Sequence, residues 1–172
     1  DLPRLEITGP GVAVVPQVRS APASGAAQFA VSRDGLLAYL PGAADAALSP
    51  LQFVDRAGTV HPITRFEDDV DYATFGPDAA LYLVAERGAP RRRILKLAAG
   101  DYDLEHARVI VPETTDVVSA DFSEDDSLTF AGNTMAVRYL AGGPSRLQFF
   151  DLDGHARGEA ALPLVASVDG ER

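Results

Sequence analysis

Cysteine and tryptophan are both absent from this chain. Without thiols there is no disulfide framework and no thiolate metal site, so packing and backbone pairing must carry the fold, and cysteine usage leaves the redox compartment open. Positive charge is also scarce. Fifteen Lys and Arg face twenty-five Asp and Glu, and the resulting formal charge of −10 repels phosphate backbones and anionic lipid surfaces. Neither nucleic acid nor a membrane is an expected partner. No apolar run approaches the roughly 20 residues of a membrane-spanning helix. The opening Asp1-Leu2-Pro3-Arg4 has no basic segment followed by an apolar stretch. The expectation is a soluble protein, cytoplasmic or periplasmic. Sustained helical rhythm is missing as well: 15 Gly and 12 Pro recur every few residues, and the longest windows free of both show no 3.6-residue apolar repeat.

What the chain does contain is short apolar runs of strand length, bounded by turn residues. They include Phe29-Ala30-Val31, Leu36 to Leu40, Leu51 to Val54, Leu81 to Val84, Arg108 to Val111 and Leu147 to Phe150. They are rich in aromatic and β-branched residues, which suit a pleated, half-buried surface. The runs repeat. Leu51-Gln52-Phe53-Val54-Asp55-Arg56-Ala57-Gly58 and Leu147-Gln148-Phe149-Phe150-Asp151-Leu152-Asp153-Gly154 agree at five of eight positions. Arg93 to Gly100 forms a degenerate copy between them. A second landmark, an acidic turn, precedes each copy: Ser32-Arg33-Asp34-Gly35, Gly76-Pro77-Asp78-Ala79 and Ser123-Glu124-Asp125-Asp126.

A unit of roughly 40 to 50 residues that reads strand, turn, strand, loop, strand, turn, strand is a four-stranded antiparallel propeller blade. The predicted fold is therefore all-β, a partial β-propeller of about three blades. They span residues 25–66, 67–113 and 114–164, with a part-blade at 5–18 and the start of a further blade at 167–172. The recurring aromatics, among them Phe29, Phe53, Tyr82, Phe130, Tyr139 and Phe149, are expected to pack between neighbouring blades.

Candidate chemistry is thin. Acyl transfer needs a nucleophilic Ser on a strained strand-to-helix turn, with a His base and an Asp to orient it. Gly142-Gly143-Pro144-Ser145 is the nearest sequence, but Pro precedes the Ser and no helix follows. The three histidines, His61, His106 and His155, sit beside turns about once per unit and read as surface loop residues. Acidic groups at Asp121, Glu124, Asp125 and Asp126, and at Asp151, Asp153 and Gly154, lack the twelve-residue calcium loop with its terminal Glu and read as turns. Arg91-Arg92-Arg93 is a short basic run in an acidic chain, suited to a solvated loop or to interblade salt bridges. No catalytic residue, cofactor-binding residue or metal ligand is assigned from the sequence, and no cofactor is expected.

The second and third units resemble the propeller domain of the prolyl oligopeptidase family of serine peptidases. Six stretches carry the resemblance, in the family's order. They are Glu67 to Tyr72, Arg87 to Ile94, Val109 to Glu113, Tyr139 to Leu147, Phe150 to Gly154, and Leu162-Pro163-Leu164 with Ser167-Val168. The first unit, Gly25 to Gly35 and on to Gly58, is similar to TolB-like propeller repeats. The peptidase resemblance implies a noncatalytic segment that gates and size-selects peptides for an α/β-hydrolase domain outside this chain, where the catalytic Ser, Asp and His reside. The TolB resemblance implies a protein-interaction module, and the mixture also fits a propeller fragment or chimera whose property is folding or assembly. A three-blade array leaves two blade faces to be covered. The expected partners are missing blades or the hydrolase domain of a parent protein, or a second copy closing a six-bladed ring.

Overall fold

The computed structural model describes residues 13–20, 27, 29–42, 51–61, 70–101, 103–119 and 128–161. They form three antiparallel sheets in sequence order. The first contains β1 (Phe29–Val31), β2 (Leu37–Tyr39), β3 (Gln52–Val54) and β4 (Val60–His61). The middle sheet contains β5 (Val70–Phe75), β6 (Leu81–Ala85), β7 (Arg93–Leu97) and β8 (Arg108–Val111), with a 3-10 helix at Leu104–His106 between the last two. The third contains β9 (Val117–Val118), β10 (Leu128–Ala131), β11 (Thr134–Leu140), β12 (Ser145–Asp151) and β13 (Ala156–Glu159). Each sheet is a meander in which successive strands pair, apart from β9, which pairs with β11, and none closes into a barrel. This is the all-β, partial-propeller architecture expected from the repeats.

Side-chain alternation explains how the sheets stack. In β6, Leu81, Leu83 and Ala85 pack with Ala38, Leu40 and Phe53 of the first sheet. The intervening Tyr82 and Val84 pack with Val118, Met135, Val137 and Phe150 of the third. A strand has a period of two, so a sheet buried on both faces shows no polar alternation. All five β6 residues are accordingly buried.

The strand that opens each sheet either pairs irregularly or is preceded by a further short pairing. In the middle sheet the irregularity lies between Val70 and Tyr72. In the third sheet both β9 and β10 pair with β11, Val118 with Tyr139 and Leu128 with Val137. The first sheet behaves like the third, since Val18 bridges Pro41 and Phe29 pairs with Tyr39. Ser20 likewise bridges Ala27. A two-residue connection at Gly132-Asn133 joins β10 and β11. The acidic turn read at Ser123 to Asp126 lies outside the described residues.

Candidate functional site

A dense polar cluster lies where the middle sheet meets the third. Its framework is the β12–β13 turn. Asp151 Oδ1 accepts from the backbone N–H groups of Asp153 and His155, and Gly154 N–H donates to the Asp151 carbonyl. Gly154 has φ +86°, a left-handed conformation suited to glycine. A Cβ there would collide with the Ile110 backbone carbonyl of β8. The turn is therefore seated directly on the outer strand of the neighbouring sheet.

Two side chains of the middle sheet grip this turn by a backbone atom. Lys96 Nζ donates to the Leu152 carbonyl oxygen at 2.8 Å, and Tyr82 hydroxyl donates to the same oxygen at 3.1 Å. Tyr82 and Lys96 are cross-strand partners in β6 and β7, which places them side by side. Asp78, from the acidic turn before β6, completes the cluster: it pairs with Lys96 at 2.7 Å and lies 3.2 Å from the Tyr82 hydroxyl. Arg108 of β8 pairs with Asp153.

The protonation states follow from burial and charge. Burial pushes the Asp78 carboxyl up, but the Lys96 ammonium, the Ala80 N–H and the Tyr82 hydroxyl together outweigh it and the net shift is downward, so Asp78 is an anion. Burial, then the Asp78 charge, pushes the Tyr82 phenol above its ordinary value and keeps it a donor. Tyr82 also meets Phe130 of the third sheet edge-on, with ring centroids 4.8 Å apart.

The opposite end of the same junction is tied by the arginine run. Arg92 donates from Nε to Asp71 and from a terminal nitrogen to the Val118 carbonyl at 2.9 Å. Its φ of +70° is unusual for a residue with a side chain. Arg91 N–H donates to Glu113 at 2.7 Å, and its carbonyl accepts from Val118 N–H. Of the two uses expected for Arg91 to Arg93, interblade bridging is the one Arg92 displays. Close by, Arg146 pairs with Asp116 and with Glu159 at 3.2 Å. It lies over the Tyr139 ring, whose hydroxyl is pushed up to about 12 by burial.

Each histidine is paired with a carboxylate of its own turn. His61 Nε2 lies 3.2 Å from Asp55, His106 Nδ1 2.9 Å from Asp101, and His155 Nδ1 3.1 Å from Asp151. The hydrogen bond and charge of Asp101 raise the His106 pKa. Backbone N–H donors, that of His155 foremost, hold Asp151 down at about 2. The structure does not bring the three histidines to one another: each stays on the turn of its own sheet. Ser145 is buried at the start of β12, in the strand-to-strand connection expected for Gly142 to Ser145. No group of three or more His, Asp or Glu residues suited to a metal ion occurs among the described residues.

Sequence reading missed Tyr82 and Lys96 as a functional pair. The signal was present in the repeats. Cross-strand pairing aligns Tyr82–Lys96 with Ala38–Phe53 in the first sheet and Ala136–Phe149 in the third. A polar pair in one repeat where its two relatives carry Ala and Phe marks a departure from simple packing.

Three stacked meander sheets with an interblade clasp define the chain as a segment of a β-propeller. Among solved structures it is similar to a prolyl endopeptidase, with TM-score 0.64 and 19% identity over 81% of this chain and 20% of that one. It is similar also to a puromycin hydrolase, with TM-score 0.62 and 16% identity over 86% of this chain and 24% of that one. The chain thus spans a quarter or less of the length of these structures, and at these identities the likeness establishes the fold. No protein-family profile and no curated protein sequence matches it. Among the described residues no helix is long and apolar enough to cross a membrane.

Proposed function

We propose that this chain is the noncatalytic propeller segment of a prolyl-oligopeptidase-like serine peptidase, where it gates and size-selects peptides for a hydrolase domain outside the chain. The observation that carries the reading is the likeness to a prolyl endopeptidase over 81% of the chain at TM-score 0.64. The residue stretches from Glu67 to Val168 support it independently. In this role the blades contribute a rigid wall that excludes bulky substrates, and the partners are the remaining blades and the hydrolase domain.

The test has two arms. Purified chain is expected to leave a chromogenic prolyl peptide uncleaved, and inhibitor-sensitive turnover would overturn the division of labour. Substituted for the matching segment of a prolyl endopeptidase, the chain is expected to preserve the preference for short over long peptides. Equal cleavage of both lengths by a folded chimera would remove the gating role. A second reading, two copies closing a six-bladed ring, is favoured by the apolar residues that the outer sheets expose, Phe29 at 55%, Val31 at 57% and Leu140 at 41%. Sedimentation equilibrium decides that reading, since it requires a dimer.

A further inference from the structure

The three sheets do not close their outer hairpins alike. In the first and third, an Asp-x-x-Gly turn joins the last two strands, and Asp55 and Asp151 accept from backbone N–H groups of their own turns. The middle sheet begins the same way. Asp101 N–H donates to the Ala98 carbonyl as Gly58 does to Asp55 and Gly154 to Asp151. It then adds the 3-10 turn Leu104–His106 before β8. Leu104 is 1% exposed and belongs to the apolar cluster that contains Ala38, Leu40, Leu51 and Phe53 of the first sheet, with Ala107 packed against it.

The insertion matches a difference between the two junctions. The middle sheet holds the third through the Tyr82 and Lys96 donors on the Leu152 carbonyl. At the equivalent cross-strand places the first sheet carries Ala38 and Phe53, and neither side chain can donate a hydrogen bond. An apolar plug, Leu104, thus serves the first junction where a polar clasp serves the second.

The plug rides on a turn tied by one imidazole. His106 Nδ1 lies 2.9 Å from Asp101, and its Nε2 lies 3.8 Å from Asp103. Asp103 caps the 3-10 turn by accepting from Glu105 N–H at 3.0 Å, and Asp101 accepts from Asp103 N–H at 2.9 Å. The two carboxylates repel unless a cation lies between them. A protonated His106 donates to both, whereas a neutral imidazole donates to one only. The charges that bear on it most are Asp101 first, then Asp103 and Glu105, all in its own connection, and they raise its pKa. Charged groups of the adjoining elements are engaged elsewhere: Arg108 with Asp153, Lys96 with Asp78, and Asp55 with His61 on the first sheet's turn.

We propose that the inserted turn is a pH-sensitive latch on the junction of the first two sheets: the His106 imidazolium holds Asp101 and Asp103 together and keeps Leu104 seated, and loss of that proton loosens it. A group raised on folding contributes fully below its unfolded value of 6.5, and its contribution fades as pH rises through the folded value. The latch therefore holds best in mild acid. It goes beyond the gating reading, because it belongs to the chain by itself.

The chain has no cysteine, so Leu104→Cys introduces a single reporter thiol. Its rate of modification by a disulfide reagent, divided by that of an unstructured peptide of the same local sequence, cancels the thiol's own ionisation and measures how firmly the turn is seated. Protection is expected to fall about threefold between about pH 5.5 and about pH 8.5, the scale of an exposed ion pair. His106→Gln in the same background is expected to remove the step, and Asp101→Asn to shrink it. Amide exchange at Ala107, whose N–H donates to the Leu104 carbonyl, reads the same step in the parent chain and does not depend on the cysteine variant folding. Circular dichroism confirms that each variant is folded. Protection that is flat with pH in the parent amide or in a folded cysteine variant, or a step that survives His106→Gln, overturns the proposal. Both readouts use the chain alone, so a failure here is distinct from a failure of the gating chimera, which is read by peptide length.

Discussion

Replacing Lys96 by Met keeps most of the apolar stem and removes only the charge. The ammonium lies in a side chain 12% exposed and makes an ion pair at 2.7 Å with Asp78, itself 30% exposed, and a hydrogen bond at 2.8 Å to the Leu152 carbonyl. Breaking a fully buried pair costs about 3–5 kcal/mol, chiefly by stranding the remaining charge. Asp78 retains some water and the Tyr82 hydroxyl, which discounts that figure. A charged hydrogen bond contributes about 1.5–3 kcal/mol, and the expected loss for Lys96→Met is about 2 kcal/mol.

Tyr82→Phe is expected to cost about 1 kcal/mol. The two changes share one acceptor and one carboxylate, so their effects should not add. Urea unfolding measures this as a lowered midpoint at unchanged m-value. A Lys96→Met midpoint within about 0.5 kcal/mol of the parent, the range typical of ordinary surface substitutions, would refute the assignment of Lys96 to the interblade clasp.

Four further outcomes are expected. Gly58→Ala should cost only the left-handed backbone penalty of about 1–2 kcal/mol; Gly154→Ala should cost more in the same unfolding assay, because its methyl must displace the Ile110 carbonyl. Leu83, fully buried in β6, should lose about 2–5 kcal/mol on replacement by Ala. Asp151 is depressed from 3.8 to about 2, so its stabilisation is complete above the unfolded value and is lost as pH falls through about 2; thermal melts between pH 5 and 2 should show a shallower loss for Asp151→Asn. His106 is raised, so its contribution is complete below 6.5 and fades as pH rises through the higher folded value; its imidazole should titrate above 6.5 by NMR and drop back in Asp101→Asn.

The blade array was legible because its signals are local. Repeated Asp-x-x-Gly turns at Asp55 and Asp151 fix hairpins regardless of context, and the apolar β6 run from Leu81 to Ala85 announces a strand with two covered faces. The register was less legible. Gly132-Asn133, a single Gly-Asn pair that the sequence reading passed over, is the two-residue connection between β10 and β11, because Phe130 and Met135 pair across it. The clasp was hidden for another reason: its acceptor is the Leu152 backbone carbonyl, which no side-chain pattern reveals. The histidine pairs were half visible, since their spacing placed them on turns while only the fold shows a carboxylate beside each imidazole.

The five side chains of β6 are all buried, between one sheet on each side. That strand has no solvent-facing register in which it could sit alone, so its amides should exchange with deuterium only when neighbouring sheets separate. The middle blade is then the last part of the molecule to open and a poor candidate for independent folding. Any cut that separates it from its neighbours exposes two apolar surfaces at once. Segments of this protein should therefore be viable only when they keep all three sheets together.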